Sequence, residues 1–195
     1  MPNRGSPYLL RGFACALLAA FPAAGESASS RCDATDWQSP PARQWADEQA
    51  WRFASPDSAR AAYTALLLKR PSAWPDWQAP SEVELPAGTR FQQALHVGQS
   101  AEQLGRWGTF DAIRSLVDVR YGLAVRWAWG NAYDRVAVVE VVKPLKVRIG
   151  TVGPQIDPDT CTYLPGRWSQ IEIPREHSGF RTHLRLISVR PLEGS

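Results

Sequence analysis

DRVAVVEVVKPLKVRIGTVGPQIDPDTCTYLPGRWSQIEIP, residues 134–174, is the most strand-like stretch of the chain and decides the fold class. It opens on a valine-dense run from Arg135 to Val142, which suits a pleated, half-buried surface. Lys143-Pro144 breaks that run. Leu145, Val147 and Ile149 then alternate with Lys146 and Arg148, the period of a strand with one face inward. Gly150 to Pro165 reads as loop. In Ser169-Gln170-Ile171-Glu172-Ile173-Pro174 the same period turns Ile171 and Ile173 inward and sets Gln170 and Glu172 side by side on the other face. Pro174 removes a backbone donor, so this strand is expected at an edge or ends there. Gln170 and Glu172 either point together into a cleft or form the solvated face of an ordinary amphipathic strand.

Upstream, Ser55-Pro56-Asp57 is a helix start, with Ser at the cap, Pro in the first turn and an acid at the positive end of the dipole. The helix is expected from Pro56 to about Lys69, before Pro71. A shorter helix is expected from Ala42 to Phe53, with Trp45 on one face. Thr89 to Leu95 reads as a strand, and Ser115 with Asp118 three residues on resembles a capping box for a helix reaching Tyr121. Val125, Trp127 and Trp129 alternate with other residues, so a strand is expected there. Trp74 and Trp77 read as cover for the core. His183 to Val189 supplies a last strand. Helices before residue 70 and strands after it predict an α+β fold: N-terminal helices packed on a mostly antiparallel, split β-sheet core. The domain reading is residues 1–25 as a signal peptide, 26–80 as a helical region and 81–195 as a β-rich region sharing one domain with those helices.

At the N-terminus, Arg4 and Arg11 precede an apolar run from Gly12 to Ala20, followed by small residues near Ala23-Ala24-Gly25. This is the layout of a secretory signal peptide, cleaved after Gly25 or Ser30, with Gly25 preferred. A buried N-terminal helix is the alternative. The run is too short to span a bilayer. Removing residues 1–25 takes away two of the 22 basic residues and none of the 19 acids, leaving 20 − 19 = +1. No basic stripe marks a nucleic-acid footprint. Localisation is therefore expected to be secreted or periplasmic. Cys32 and Cys161 survive processing, and in an oxidising compartment such a pair usually closes. In the chain-entropy description so long a loop contributes roughly 4–5 kcal/mol. Two free thiols are the alternative.

No serine-nucleophile elbow, zinc-protease helix or phosphate-binding glycine–lysine loop is present. His96, His177 and His183 stand apart from any nucleophile. What remains is Arg90 early in a strand, Thr109 after a Gly-Trp-Gly loop, and Gln170 with Glu172. An arginine fork suits a pyrophosphate, and a carboxylate stabilises positive charge growing on a sugar ring. A neutral amide two residues earlier would orient an acceptor. Trp107, Tyr163 or Trp168 would offer an aromatic face for stacking.

The arrangement resembles the ADP-ribosyltransferase fold, whose arginine, Ser/Thr motif and Q/E-x-E strand would be Arg90, Thr109 and Gln170-Ile171-Glu172. It is also similar to the NAD-glycohydrolase toxins typified by tuberculosis necrotizing toxin. The matching stretches are Pro86-Ala87-Gly88-Thr89, Val141 to Val147, Gly150 to Pro154, and Tyr163 to Gln170, in the family's order. The family's glycine run is reduced to Gly166, with Arg167 and Trp168 in place of small residues. The resemblance implies NAD as substrate, no metal, and a protein or small-molecule acceptor of ADP-ribose. Glu172 and Gln170 would be catalytic, and Arg90, Thr109, Trp107 and Tyr163 would contact NAD. A toxin or effector with ADP-ribosyltransferase or NAD glycohydrolase activity is the first expectation. A non-catalytic exported binding protein, using a chain rich in tryptophan as a partner surface, is the second. Polar ends of Arg90, Thr109 and Glu172 converging on one cleft would favour the first; their scatter would favour the second.

Overall fold

Valine-rich and alternating segments build the centre of the protein, seen in a computed structural model that describes residues 32–68, 72–129 and 132–193. The expected leader lies outside the described residues. The strands are β1 (Ser81–Leu85), β2 (Arg90–His96), β3 (Trp107–Gly108), β4 (Tyr133–Val141), β5 (Leu145–Thr151), β6 (Gln155–Asp157), β7 (Thr162–Leu164), β8 (Ser169–Glu172) and β9 (Leu184–Pro191). One sheet runs β1-β5-β8-β3, a second β2-β4-β9, and β6-β7 is a separate two-stranded ribbon. Every pairing is antiparallel. The first two sheets share a core: Phe91, Leu95, Val139 and Val141 from one, Leu145, Val147 and Ile171 from the other, with Ile173 and Phe180. Period-two alternation produces this directly, since Phe91, Gln93 and Leu95 of β2 are buried while their neighbours are more exposed.

Helix α1 (Pro40–Gln49) is capped by the Ser39 hydroxyl, and α2 is Pro56–Leu68. Trp45 of α1 and Tyr63 of α2 meet with ring centroids 5.6 Å apart, and Trp37 stands edge-on to Tyr63 at 5.6 Å. The aromatic cluster closes over Ile156 and Tyr163 of the β6-β7 ribbon. The disulfide Cys32–Cys161 ties the start of this region to the ribbon.

These contacts correct the expected fold. The molecule is α+β in the broad sense, but the ADP-ribosyltransferase-like arrangement of helices on a split sheet is not what forms. The helices bury their aromatic stripe on the ribbon, a partner hidden inside a segment that Pro, Gly and Asp make look like loop. Three further expectations change. Trp127–Trp129 is a 3-10 turn, not a strand. Its backbone is pinned by the Asp157 carboxylate, which accepts the Trp127 amide at 2.6 Å, and this outweighs the alternating pattern. β8 is no edge, because β5 and β3 flank it, but it does end at Glu172, just before Pro174. Trp77 is substantially exposed, lying under the Arg52 guanidinium at 3.6 Å, while Trp74 is half-buried, with its ring close to Gly150.

Candidate functional site

Between the two large sheets opens a cleft of about 460 Å³. β2 contributes Gln92, Gln93, Ala94 and His96 to its lining, β3 contributes Trp107 and Gly108, and β8 contributes Gln170. The opposite wall is the segment 119–129, through Val119, Leu123, Ala124, Val125 and Trp129. That segment begins as a helical turn that widens into a π-helix at Asp118–Gly122. Its start is the predicted capping box: the Asp118 carboxylate accepts the Ser115 amide at 2.9 Å, and the Ser115 hydroxyl accepts the Asp118 amide at 3.3 Å.

The cleft holds no Asp, Glu, Lys or Arg among its lining residues; its polar side chains are carboxamides, an imidazole, a phenol and two indoles. Three of the carboxamides are committed to backbone. Gln92 accepts the Ile113 amide at 3.0 Å, Gln155 donates to the Ser72 carbonyl at 2.7 Å, and Gln93 both donates to and accepts from Gly105 at 3.0 Å. Gln170 is 7% exposed, and its carboxamide has no protein partner among the described residues. Its polar atoms are not among the fully buried ones that lack a partner, so solvent in the cleft reaches them. The site is therefore completed by whatever enters it, water included. Tyr133 and His96 stack at 4.2 Å at one side, and burial pushes the Tyr133 phenol above its ordinary pKa.

The sequence-predicted residues fall into separate local networks. Gln170 and Trp107 line the cleft. Glu172 lies two residues past Gln170 and does not line it; its carboxylate accepts from Arg148 at 3.3 Å, opposite it across β5. Arg148 is also 3.7 Å from both Glu82 and Glu176. Arg90 shares a face of β2 with Gln92 but stays outside the cleft, donating to Glu140 at 2.9 Å; Arg185 donates to the same carboxylate. These two arginines hold the Glu140 carboxyl below its ordinary range. Thr109 is fully buried, with its hydroxyl 2.9 Å from that of Ser169 and 3.1 Å from Asp111. It bolts β3 to β8. Tyr163 belongs to the aromatic cluster under the helices and donates to Glu48 at 2.8 Å; burial and that hydrogen bond push its phenol well up. Arg167 reaches Glu48 at 2.6 Å, and Trp168 packs on Gly122; neither lines the cleft. Gly166 is needed for a backbone reason: at φ +71 an added Cβ would lie 2.6 Å from the Val152 carbonyl oxygen.

Two carboxylates anchor the cleft walls. Burial raises Asp111, but hydrogen bonds from the Ser169 hydroxyl and amide and from Thr109 outweigh it and hold the carboxyl below its usual range. For Asp157 burial again raises the pKa, while the Trp127 amide and the Arg120 guanidinium outweigh it. Each carboxyl thus has a lower pKa folded than in the unfolded chain, where it is about 3.9. The stabilisation is complete above about pH 5 and is lost as pH falls through the folded values. Stability measured by urea denaturation should be flat from pH 5 to 7 and fall below about pH 4. A profile unchanged down to pH 3 contradicts this.

His96, Tyr133, Gln92 and the segment 119–129 were not read as site residues from the sequence. The adjacent Gln92-Gln93, two polar residues side by side inside a strand, was the available signal. Among the described residues no group of three or more His, Cys, Asp or Glu is placed to hold a metal ion, and no helix is long and apolar enough to cross a membrane.

No family model and no curated protein matches the chain. The chain is similar to solved structures. Tne2 in complex with Tni2 aligns at 21% identity with a TM-score of 0.50, over 62% of this chain and 98% of that one. Rhs1-CT in complex with its cognate immunity protein RhsI1 aligns at 16% and 0.44, over 59% and 81%. Tse6 in complex with Tsi6 aligns at 14% and 0.39, over 75% and 93%. The first likeness speaks for the fold alone, and the other two are too distant to carry an argument. Arg90, Thr109 and Glu172 are held in three separate networks and do not converge on one cleft, which corrects the expectation of an NAD-cleaving ADP-ribosyltransferase toxin. NAD as the partner, and the transferase and hydrolase activities that followed from it, are set aside for the second expectation, a binding protein.

Proposed function

We propose that this chain is an exported, non-catalytic binding protein that holds a partner protein at the cleft and its aromatic rim. The observation that carries the reading is a cleft whose lining combines the Gln170 carboxamide, free of hydrogen bonds to protein among the described residues, with two exposed indoles, Trp107 at 46% and Trp129 at 38%. Trp127 and Tyr121, on the segment that forms the far wall, are exposed as well. Tryptophan and tyrosine are the side chains that anchor protein interfaces, and a neutral pocket accepts a partner side chain without stranding a charge. The solved structure of Tne2 in complex with Tni2, which this chain resembles in fold, is a complex of two proteins, in keeping with the same reading. Export is supported by the leader-like residues 1–25 and by the Cys32–Cys161 disulfide.

The test is a footprint. A partner captured on the protein is purified, the complex is reassembled, and amide hydrogen exchange is compared with that of the free chain. Slowed exchange is expected in residues 107–110 and 119–129. Protection confined to β1 or β9 would overturn the proposal.

A further inference from the structure

The disulfide sits at one end of a mechanical linkage whose other end is the cleft wall. Cys161 lies in the turn between β6 and β7, and Cys32 lies at the start of the helical region. Within the same turn and ribbon, Asp157 and Thr160 hold the far wall. The Asp157 carboxylate is fully buried and accepts from Arg120 and from the Trp127 amide. The Thr160 hydroxyl accepts from Arg120 at 3.3 Å. Asp157 also accepts the Asp159 amide at 3.2 Å, which shapes the turn that carries Cys161.

Arg120 depends on this turn. Its second terminal nitrogen is buried and has no hydrogen-bond partner, so its charge leans on Asp157. A buried cation that loses its only carboxylate is strongly disfavoured. Displacement of the ribbon turn is therefore transmitted to Arg120 and Trp127, and through them to Val119, Leu123 and Trp129 in the cleft. Glu48 and Arg167, beside the ribbon, are paired with each other.

We propose that the Cys32–Cys161 disulfide is a redox device that sets the order of the cleft wall 118–129, so that the binding surface is fully formed only in the oxidised protein. Cys32 is exposed and Cys161 half-buried, so a small dithiol can reach the bond. Reduction is a thiol–disulfide exchange. The reagent's thiolate attacks one sulfur, the Cys32–Cys161 bond takes up two electrons and two protons to give two thiols, and the reagent closes to its own cyclic disulfide. Reversal needs only an oxidised dithiol of the same class.

The experiment is hydrogen exchange on the oxidised protein, on the same protein reduced by dithiothreitol, and on the Cys32→Ser/Cys161→Ser variant. The β4 amides serve as the internal reference for global folding. Exchange is expected to quicken tenfold or more in residues 118–129 and 157–163, with β4 unchanged, in both the reduced protein and the variant. Quickening confined to the residues beside the two cysteines overturns the linkage. Loss of β4 protection overturns it too, because the bond would then hold the whole fold and not one wall.

Discussion

Asp157→Ala is expected to lower the stability of the protein by about 3–5 kcal/mol, the cost of stranding one member of a buried ion pair. Asp157 is 0% exposed, Arg120 only 11%, and a guanidinium nitrogen of Arg120 already lacks a partner. The substitution also removes the acceptor for the Trp127 amide. For a chain of this length each kcal/mol moves the melting point by about 2–4 °C, so a fall of roughly 10 °C is expected. The Glu172–Arg148 pair gives the contrast. Its arginine is 33% exposed and shared with Glu82 and Glu176. Pairs of that kind are worth about 0–1 kcal/mol, and Glu172→Gln should barely move the melting point. A shift under 2 °C for Asp157→Ala would mean that the turn does not carry the wall.

The second large effect is on binding. Trp107→Ala and Trp129→Ala are each expected to cost about 2 kcal/mol or more of partner affinity, as central aromatic anchors do. That is roughly a 30-fold rise in Kd apiece. Both side chains are about half exposed in the free protein, so their loss also removes part of a buried indole and lowers melting by several degrees, and affinity is compared well below the melting points. Trp51 serves as the control: it is 81% exposed and lies after α1 in the helical region, away from the cleft. Trp51→Ala should leave affinity unchanged. Equal losses at all three positions would point to nonspecific stickiness in place of a defined site.

The valine run of β4 and the alternation of β5 were legible because burial imposes period two on any strand with one inward face. The start of α2 and the Ser115–Asp118 box were legible because both are set by side chains within four residues of each other. The ribbon was not. Its strands are three residues each, too short to show a period, and their value lies in Ile156 and Tyr163 meeting helices about a hundred residues upstream. The 3-10 turn at Trp127 was missed for a related reason, since a carboxylate thirty residues downstream fixes it.

At the site, Gln170 was legible from its place in the alternating run. The fate of its companions was not. Arg90 and Glu172 each have an opposite charge directly across the ladder, Glu140 and Arg148. Only strand register reveals such partners, and a single sequence does not print register. The same long-range pairing explains why a carboxylate and an arginine that suggest chemistry along the chain are each neutralised in space.

The most direct measurement is incubation of the purified protein with NAD while free nicotinamide is followed. A binding protein with its carboxylate committed to Arg148 should release none above the no-protein control, with Glu172→Gln behaving like the parent. Steady nicotinamide release that disappears in a folded Glu172→Gln protein would contradict the account.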